Sequence, residues 1–275
     1  MKHHVLKVLV LMICFTAYGQ VKVNPNGKFF NYNGTKIYYE DTGSGEPLLL
    51  LHNFFKTADS WKPFVKVYSK QFRTIAVDMV GHGRSDIYDK DNPDFSHKDY
   101  AKIIHALLDS LKLDKVNVIG VSGGGTTALY LNTIQPDRFK SVITVGAHIY
   151  YSKPAREWLA NAELNQIMEL AKHHDPEKQE YLAKVFWQNK ELSDGDPSFT
   201  PDKLSAIKAK WLVVLGDNDL FVPIQIGMEL YQNVSNSRLW IVPNGGHLPH
   251  LNTDFQAEFM RVSLEFLTGK WDKTD

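Results

Sequence analysis

Ser122 stands in the run Gly120-Val121-Ser122-Gly123-Gly124. An apolar, β-branched stretch from Val116 to Val121 precedes it, and a helical pattern follows. Glycines two residues to either side let a strand turn sharply into a helix, because no Cβ blocks the crossing backbones. The serine is left at the tip of the turn, over a helix N-terminus whose dipole favours developing negative charge. A serine hydroxyl is a poor nucleophile at neutral pH and needs a base beside it. His247 and His250 both follow a late apolar run. His247 comes directly after Gly245-Gly246, which lets a loop carry its ring over a sheet edge, whereas His250 reads as support for that loop. An imidazole base in turn needs a carboxylate to orient it. Asp217 and Asp219 both follow another apolar run, and no acid follows the run Ser141–Val145, which ends in Gly146-Ala147-His148. The chemistry open to a serine, an imidazole and a carboxylate is nucleophilic attack with a covalent intermediate.

A three-position motif alone recurs by chance in roughly one chain in ten of this length, so the surrounding elements must decide. Gly27–Asn31 and Thr35–Asp41 alternate around Asn33-Gly34, a hairpin signal. Pro47–Leu51, Phe72–Val77, Val116–Val121, Ser141–Val145, Trp211–Leu215 and Leu239–Val242 are continuous apolar runs, the pattern of strands buried on both faces. Helical periodicity appears over Ser60–Tyr68, Lys98–Leu111, Ile224–Gln232 and Asp254–Leu267, and in the helix after Ser122. Strands alternating with helices predict an α/β chain with a mostly parallel sheet covered on both faces. The rhythm pauses after Gly146. Pro154–Ala171 and Pro176–Asn189 are read as two helices with proline near their starts. The aromatics of this segment, among them Tyr150, Tyr151, Trp158, Tyr181, Phe186, Trp187 and Phe199, either pack its own small core or line the roof of a pocket.

The chain has 275 residues, 43 % of them hydrophobic and 23 % charged, with a formal net charge of zero. That suits one large domain with an insertion. Without a basic run, nucleic acid is not expected as a partner. Residues Met1–Gln20 have the layout of a secretory signal: Lys2 and Lys7, then an apolar Val8–Phe15, then Ala17-Tyr18-Gly19 as a small-x-small cleavage site. The apolar run is short for a membrane span. The expectation is therefore residues 1–19 as signal peptide and an exported protein, periplasmic or secreted, with no stable membrane span after cleavage. The single cysteine, Cys14, would leave with the signal. His173-His174 has no companion cluster for a metal, and no glycine-rich phosphate loop or dinucleotide fingerprint is present. No cofactor and no metal are expected. The partner expected is a small-molecule substrate, with the protein a monomer or dimer.

Four motifs together resemble the α/β-hydrolase superfamily over about residues 28–267: His52-Asn53-Phe54; Asp78 with Gly81-His82-Gly83-Arg84-Ser85; Gly120-Val121-Ser122-Gly123-Gly124; and Gly216-Asp217-Asn218-Asp219 to Pro223 with Gly246-His247. The chain order Ser, Asp, His is the one such hydrolases use. The resemblance is nearest to the lidded branch of esterases, enol-lactonases and carbon–carbon-bond hydrolases. It implies an eight-stranded, mostly parallel sheet with helices on both faces. It also implies a core of residues 20–147 and 202–275 and a helical lid over 148–201. It implies Ser122 as nucleophile, His247 as base, and Asp219 rather than Asp217 as the acid, because the family places that acid four residues before a proline. The oxyanion donors would be the N–H groups of Gly123 and, by correspondence, Phe54. His82 and Arg84 would brace a loop. The family's usual His-Gly is His52-Asn53 here. Asparagine tolerates a left-handed backbone best after glycine, so the turn is expected to survive, with the Asn53 side chain adding a polar group near the pocket. Asn53, Phe55, Tyr150, Trp158 and Trp187 are expected to contact substrate. The implied activity is cofactor-free serine hydrolysis of a small or medium ester or lactone. Carbon–carbon, amide or perhydrolase chemistry on the same residues, or ligand binding without catalysis, are the alternatives.

Overall fold

The computed structural model describes residues 24–89, 96–188 and 197–272. The strands are β1 (Gly27–Tyr32), β2 (Thr35–Thr42), β3 (Glu46–Leu51), β4 (Phe72–Val77), β5 (Val116–Val121), β6 (Phe139–Val145), β7 (Lys210–Gly216) and β8 (Ser237–Val242). They form one sheet in the order β1-β2-β4-β3-β5-β6-β7-β8. β1 with β2 and β2 with β4 are antiparallel, and the remaining pairs are parallel. The β1–β2 hairpin turns on Asn33 (φ 49°) and Gly34 (φ 92°), the left-handed pair a two-residue hairpin needs.

The leucine run of β3 shows why these strands are apolar throughout. Leu48 to Leu51 are all fully buried. Leu49 and Leu51 join the core on one face of the sheet, with Ile103, Leu107 and Leu129. Leu48 and Leu50 join the core on the other, with Trp61, Phe64 and Phe259. Trp211 and Val213 of β7 likewise face the first core, while Leu212 and Val214 face the second. The first face is covered by helices that include α2 (His97–Ser110), α3 (Gly123–Ile134) and α8 (Ile224–Asn233); the second by α1 (Lys62–Tyr68) and α9 (Thr253–Leu267).

β4 follows β3 on one side, and β5 then adds on β3's other side. The strand order therefore reverses between β3 and β5, and in open parallel sheets ligands gather in the crevice beyond the C-terminal strand ends at such a point. The loop carrying Asn53 and Phe54 leaves β3 there, and Ser122 leaves β5 there.

Between β6 and β7 lie α4 (Lys153–Asn161), α5 (Leu164–Leu170), α6 (Pro176–Gln188) and the short α7 (Pro201–Ser205). The proline and apolar spacing predicts a single helix over Pro154–Ala171, but the chain breaks it into α4 and α5. Ala162 is extended (φ −70°, ψ 133°), and the Glu163 N–H donates to Gln166 Oε1 at 3.0 Å, a new helix start. Burying Ala162 among Ile167, Leu182 and Phe55 sets the angle between the two helices. The neck of the insertion closes where the Phe199 N–H donates to Ile149 O at 2.9 Å. α7 was not anticipated. Among the described residues no helix is long and apolar enough to cross a membrane. The expected signal, 1–19, lies outside the described residues.

Candidate active site

Ser122 has φ 50° and ψ −117°, a strained backbone for a residue with a side chain. The turn leaves no alternative. A Cβ on Gly120 would stand 2.5 Å from Gly124 O, and one on Gly124 would collide with Leu51 O. Backbone bonds hold the strain: Ser122 N–H to Val145 O at 2.8 Å and Thr126 N–H to Ser122 O at 2.9 Å. Ser122 precedes α3 but its side chain caps nothing. Its Oγ lies 2.9 Å from His247 Nε2.

His247 and Asp219 are brought to Ser122 by two loops stitched together. The Asp217 N–H donates to Val242 O at 3.2 Å and the Asn218 N–H to Gly245 O at 2.8 Å. A side chain on Gly216 would collide with the Gly245 carbonyl, so the loops meet this closely because Gly216 has no Cβ. Asp219 Oδ2 lies 2.8 Å from His247 Nδ1. Asp219 Oδ1 accepts from the N–H groups of Phe221 (2.8 Å) and Val222 (2.9 Å). With its Oδ1 occupied, the buried carboxylate presents Oδ2 to the ring. The partners assign the tautomer: Nδ1–H donates to Asp219, leaving Nε2 to accept the Ser122 proton. Asp217 is exposed. His250 is buried against Trp61, Phe64 and Phe259, and burial pushes its pKa down to about 3. It sits in the second core, away from the site.

Gly123 opens α3, where N–H groups have no partner within the helix. The Phe54 amide nitrogen lies 3.6 Å from where a Gly123 Cβ would sit. Among the described residues no hydrogen bond takes up the Phe54 N–H. The Phe54 amide therefore lies beside Gly123, the residue that follows Ser122. The expected use of asparagine's left-handed tolerance is corrected: Asn53 is not left-handed, and the strained residue of this loop is Phe55, at φ 66°.

Three imidazoles hold Phe55 and its loop. His52 Nδ1–H donates to Asn53 O (2.9 Å) and its Nε2 accepts from the Met79 N–H (3.0 Å). His82 Nδ1–H donates to Val80 O (3.0 Å), and its Nε2 accepts from the Phe55 N–H (3.2 Å). His174, from the insertion, donates through Nε2–H to Phe55 O (3.1 Å) and accepts the Gly83 N–H at Nδ1 (3.2 Å). Each ring spends one nitrogen as donor and one as acceptor, which requires the neutral form. Burial agrees: it lowers His52 to about 4, His82 well below its ordinary value, and His174 in the same direction. Arg84 binds the buried Asp78 through Nε (2.7 Å) and lies over the Tyr38 ring at 4.0 Å. His82 and Arg84 thus sit in the framework rather than in the cavity.

The cavity over Ser122 has a volume of about 250 Å³. Asn53, Phe54, Phe55 and Trp158 line it together with Ser122, Gly123 and His247. Asp219 stands behind His247. Tyr150 is a correction: its hydroxyl donates to Glu229 Oε1 at 2.6 Å and its ring packs on the first core. The neighbouring Tyr151 faces the cavity instead. The side chain of Trp187 lies outside the described residues. The sequence reading missed His97, His148 and Phe221 as lining residues. Phe221 could have been found as the second residue after the acid. His97 and His148 carried no signal of their own. Phe186 also lines the cavity, 5.4 Å from Phe54 and 4.9 Å from Phe55 between ring centroids, whereas Tyr181 packs in the insertion's own core and Phe199 on Tyr130. Both expected fates of the aromatics are realised. Among the described residues no cluster could hold a metal ion.

A family profile described as alpha/beta hydrolase fold matches residues 46–166. The chain is 30 % identical over 249 residues to the serine hydrolase BPHL of Mus musculus, covering 86 % of this chain and 84 % of that one. It is 27 % identical over 275 residues to a 2-hydroxy-6-oxononadienedioate/2-hydroxy-6-oxononatrienedioate hydrolase of Pseudomonas putida, covering 84 % and 92 %. The crystal structure of the enol-lactonase from Burkholderia xenovorans LB400 superposes with a TM-score of 0.71 at 20 % identity, over 88 % of this chain and all of that one.

Proposed function

The chain belongs to the α/β-hydrolase family and is a hydrolase; we propose that it cleaves an uncharged ester or lactone through an acyl-enzyme on Ser122. The observation that carries this is the continuous path Ser122 Oγ, His247 Nε2, His247 Nδ1, Asp219 Oδ2, with contacts of 2.9 and 2.8 Å. His247 Nε2 takes the hydroxyl proton as Oγ attacks the carbonyl carbon. The oxyanion accepts from the N–H groups of Phe54 and Gly123; such a donor contributes on the order of 3 kcal/mol to transition-state stabilisation. His247 then gives its proton to the leaving oxygen. A water activated by the same nitrogen attacks the acyl carbon and frees Ser122.

The cavity wall argues for the substrate's charge. Among the described lining residues there is no lysine and no arginine. A carboxylate would enter without a cation to replace its hydration, which is costly. The Pseudomonas putida relative is named for a dianionic acid; this cavity favours a neutral ester or lactone instead. Phe54, Phe55, Trp158 and Phe186 supply apolar contact, and a volume of about 250 Å³ suits a small substrate. A fluorophosphonate probe is expected to label the wild type and not Ser122→Ala. No labelling of folded wild type overturns the reading. Export to the periplasm or medium belongs to the same proposal, supported by Met1–Gln20 alone. A mature N-terminus at Gln20 in mass spectra of exported protein supports it, and a cytoplasmic chain retaining Met1 overturns it.

A further inference from the structure

We propose that His148 is a substrate-binding residue whose Nε2–H donates a hydrogen bond to a second oxygen of the substrate, on the leaving-alcohol side of the scissile carbonyl. The inference rests on the ester or lactone reading above and adds a recognition element that the catalytic residues do not supply.

His148 follows β6 and lines the cavity with Ser122 and His247. It is 8 % exposed. Its Nδ1 is sealed from solvent and has no hydrogen-bond partner. An unpaired buried N–H is the rarer and costlier of the two ways to leave a polar atom unmet. The proton therefore sits on Nε2, the nitrogen left to face the cavity. Burial, with His247 and His97 nearby, pushes the ring's pKa down to about 3. The ring is a neutral donor across the working range, not a cation. In a wall that is mostly aromatic and aliphatic, a neutral donor selects a carbonyl, ether or hydroxyl oxygen.

The main chain of His148 is held to the floor. The His148 backbone N–H donates to Thr126 Oγ1 at 3.1 Å, and Thr126 Oγ1 donates to the His148 backbone carbonyl at 3.3 Å. Thr126 lies on α3, the helix that begins after Ser122. His148 thus moves with the nucleophile and not with the insertion. Its ring centroid is 6.0 Å from that of His247. Phe54 N and His97 Cε1, by contrast, crowd the Gly123 side of Ser122. With the oxyanion directed to Phe54 and Gly123, the leaving oxygen must face His247 Nε2 to receive its proton. The alcohol portion, or the ring of a lactone, then extends past His148.

The test compares 2-methoxyethyl butyrate with butyl butyrate, equal in length and differing by one oxygen on the alcohol. The readout is the ratio of the two kcat/KM values in wild type, His148→Phe and His148→Gln. Intrinsic reactivity and any general loss from repacking affect numerator and denominator alike and cancel between variants. One neutral hydrogen bond predicts a ratio about tenfold higher in wild type than in His148→Phe. His148→Gln, which keeps an N–H, should recover most of it. An unchanged ratio in His148→Phe overturns the inference. Failure of the hydrolase reading looks different, because neither ester is then turned over by wild type. Calorimetric binding of both esters to Ser122→Ala decides the inference without turnover: tighter binding of the methoxyethyl ester, lost on adding His148→Phe, supports it, and equal affinities overturn it.

Discussion

The floor of the cavity and its roof are built by different means. On the floor, each reactive group is set by backbone. Ser122 is held by two main-chain bonds in a turn closed by glycines. Asp219 is held by two amides, and the loops of Asp219 and His247 are bonded to each other. The roof, α4 to α6, meets the floor largely through apolar rings: Phe186 on Phe54 and Phe55, Trp158 on Phe221. Its polar ties to the core include His174 to Phe55 and Gly83, Lys178 Nζ to Gly83 O, and Ser152 Oγ to Phe221 O. Directional bonds fix positions to tenths of an ångström, which proton transfer requires. Ring contacts are tolerant of replacement. On the proposed mechanism, the floor governs whether a bond is broken, and the roof which substrate is held.

The largest expected effect lies on the floor. Asp219→Asn should leave the fold and lower kcat by about 10⁴-fold, since the amide no longer favours the tautomer with Nε2 free. The same change at exposed Asp217 should have little effect. Equal losses from the two variants, measured in steady-state kinetics, would erase the distinction between a positioned acid and a loop aspartate.

Acid should loosen the floor and the core beneath it next. His52, His148 and His250 are held at about 4, 3 and 3 in the folded chain, each lowered mainly by burial. Their unfolded value is about 6.5. Between those values the unfolded chain binds more protons, so stability is full above about pH 6.5 and is lost as pH falls toward the folded values. His52 alone accounts for roughly 3 kcal/mol over that interval, a large share of an ordinary stability of about 5–15 kcal/mol. Urea midpoints should decline steeply between pH 6.5 and 4.5. A flat profile there would show that these rings are not held neutral.

The smallest effect belongs to the roof. Trp158 is 37 % exposed and meets Phe221 edge-on at 5.4 Å. Trp158→Ala should raise KM for an apolar ester by about two- to tenfold, the worth of one aromatic contact, with a smaller change in kcat. A kcat loss comparable to that of Asp219→Asn would mean that roof and floor are not separable.

This same division explains which features could be read before folding. The strands were legible because burial on both faces demands unbroken apolar runs; Phe72–Val77 and Val116–Val121 coincide with β4 and β5. The turn at Ser122 was legible because only glycine can stand where Gly120 and Gly124 cross. The break between α4 and α5 was not, because Ala162 is compatible with a helix and is turned out of one by packing against Phe55 and Leu182. Tyr150 and Tyr151 are chemically alike neighbours, and nothing local says which ring faces the cavity.

The amino-acid sequence by itself determined the sheet, the elbow and the order in which Ser122, Asp219 and His247 arrive. These depend on covalent spacing, on glycine's missing Cβ and on the alternation of buried side chains. Tertiary structure alone decided that His174 of the insertion locks Phe55, that His250 lies in the core, and that His148 presents its ring beside His247. Each of those depends on contacts between segments far apart in the chain, where an imidazole's role is set by what surrounds its two nitrogens.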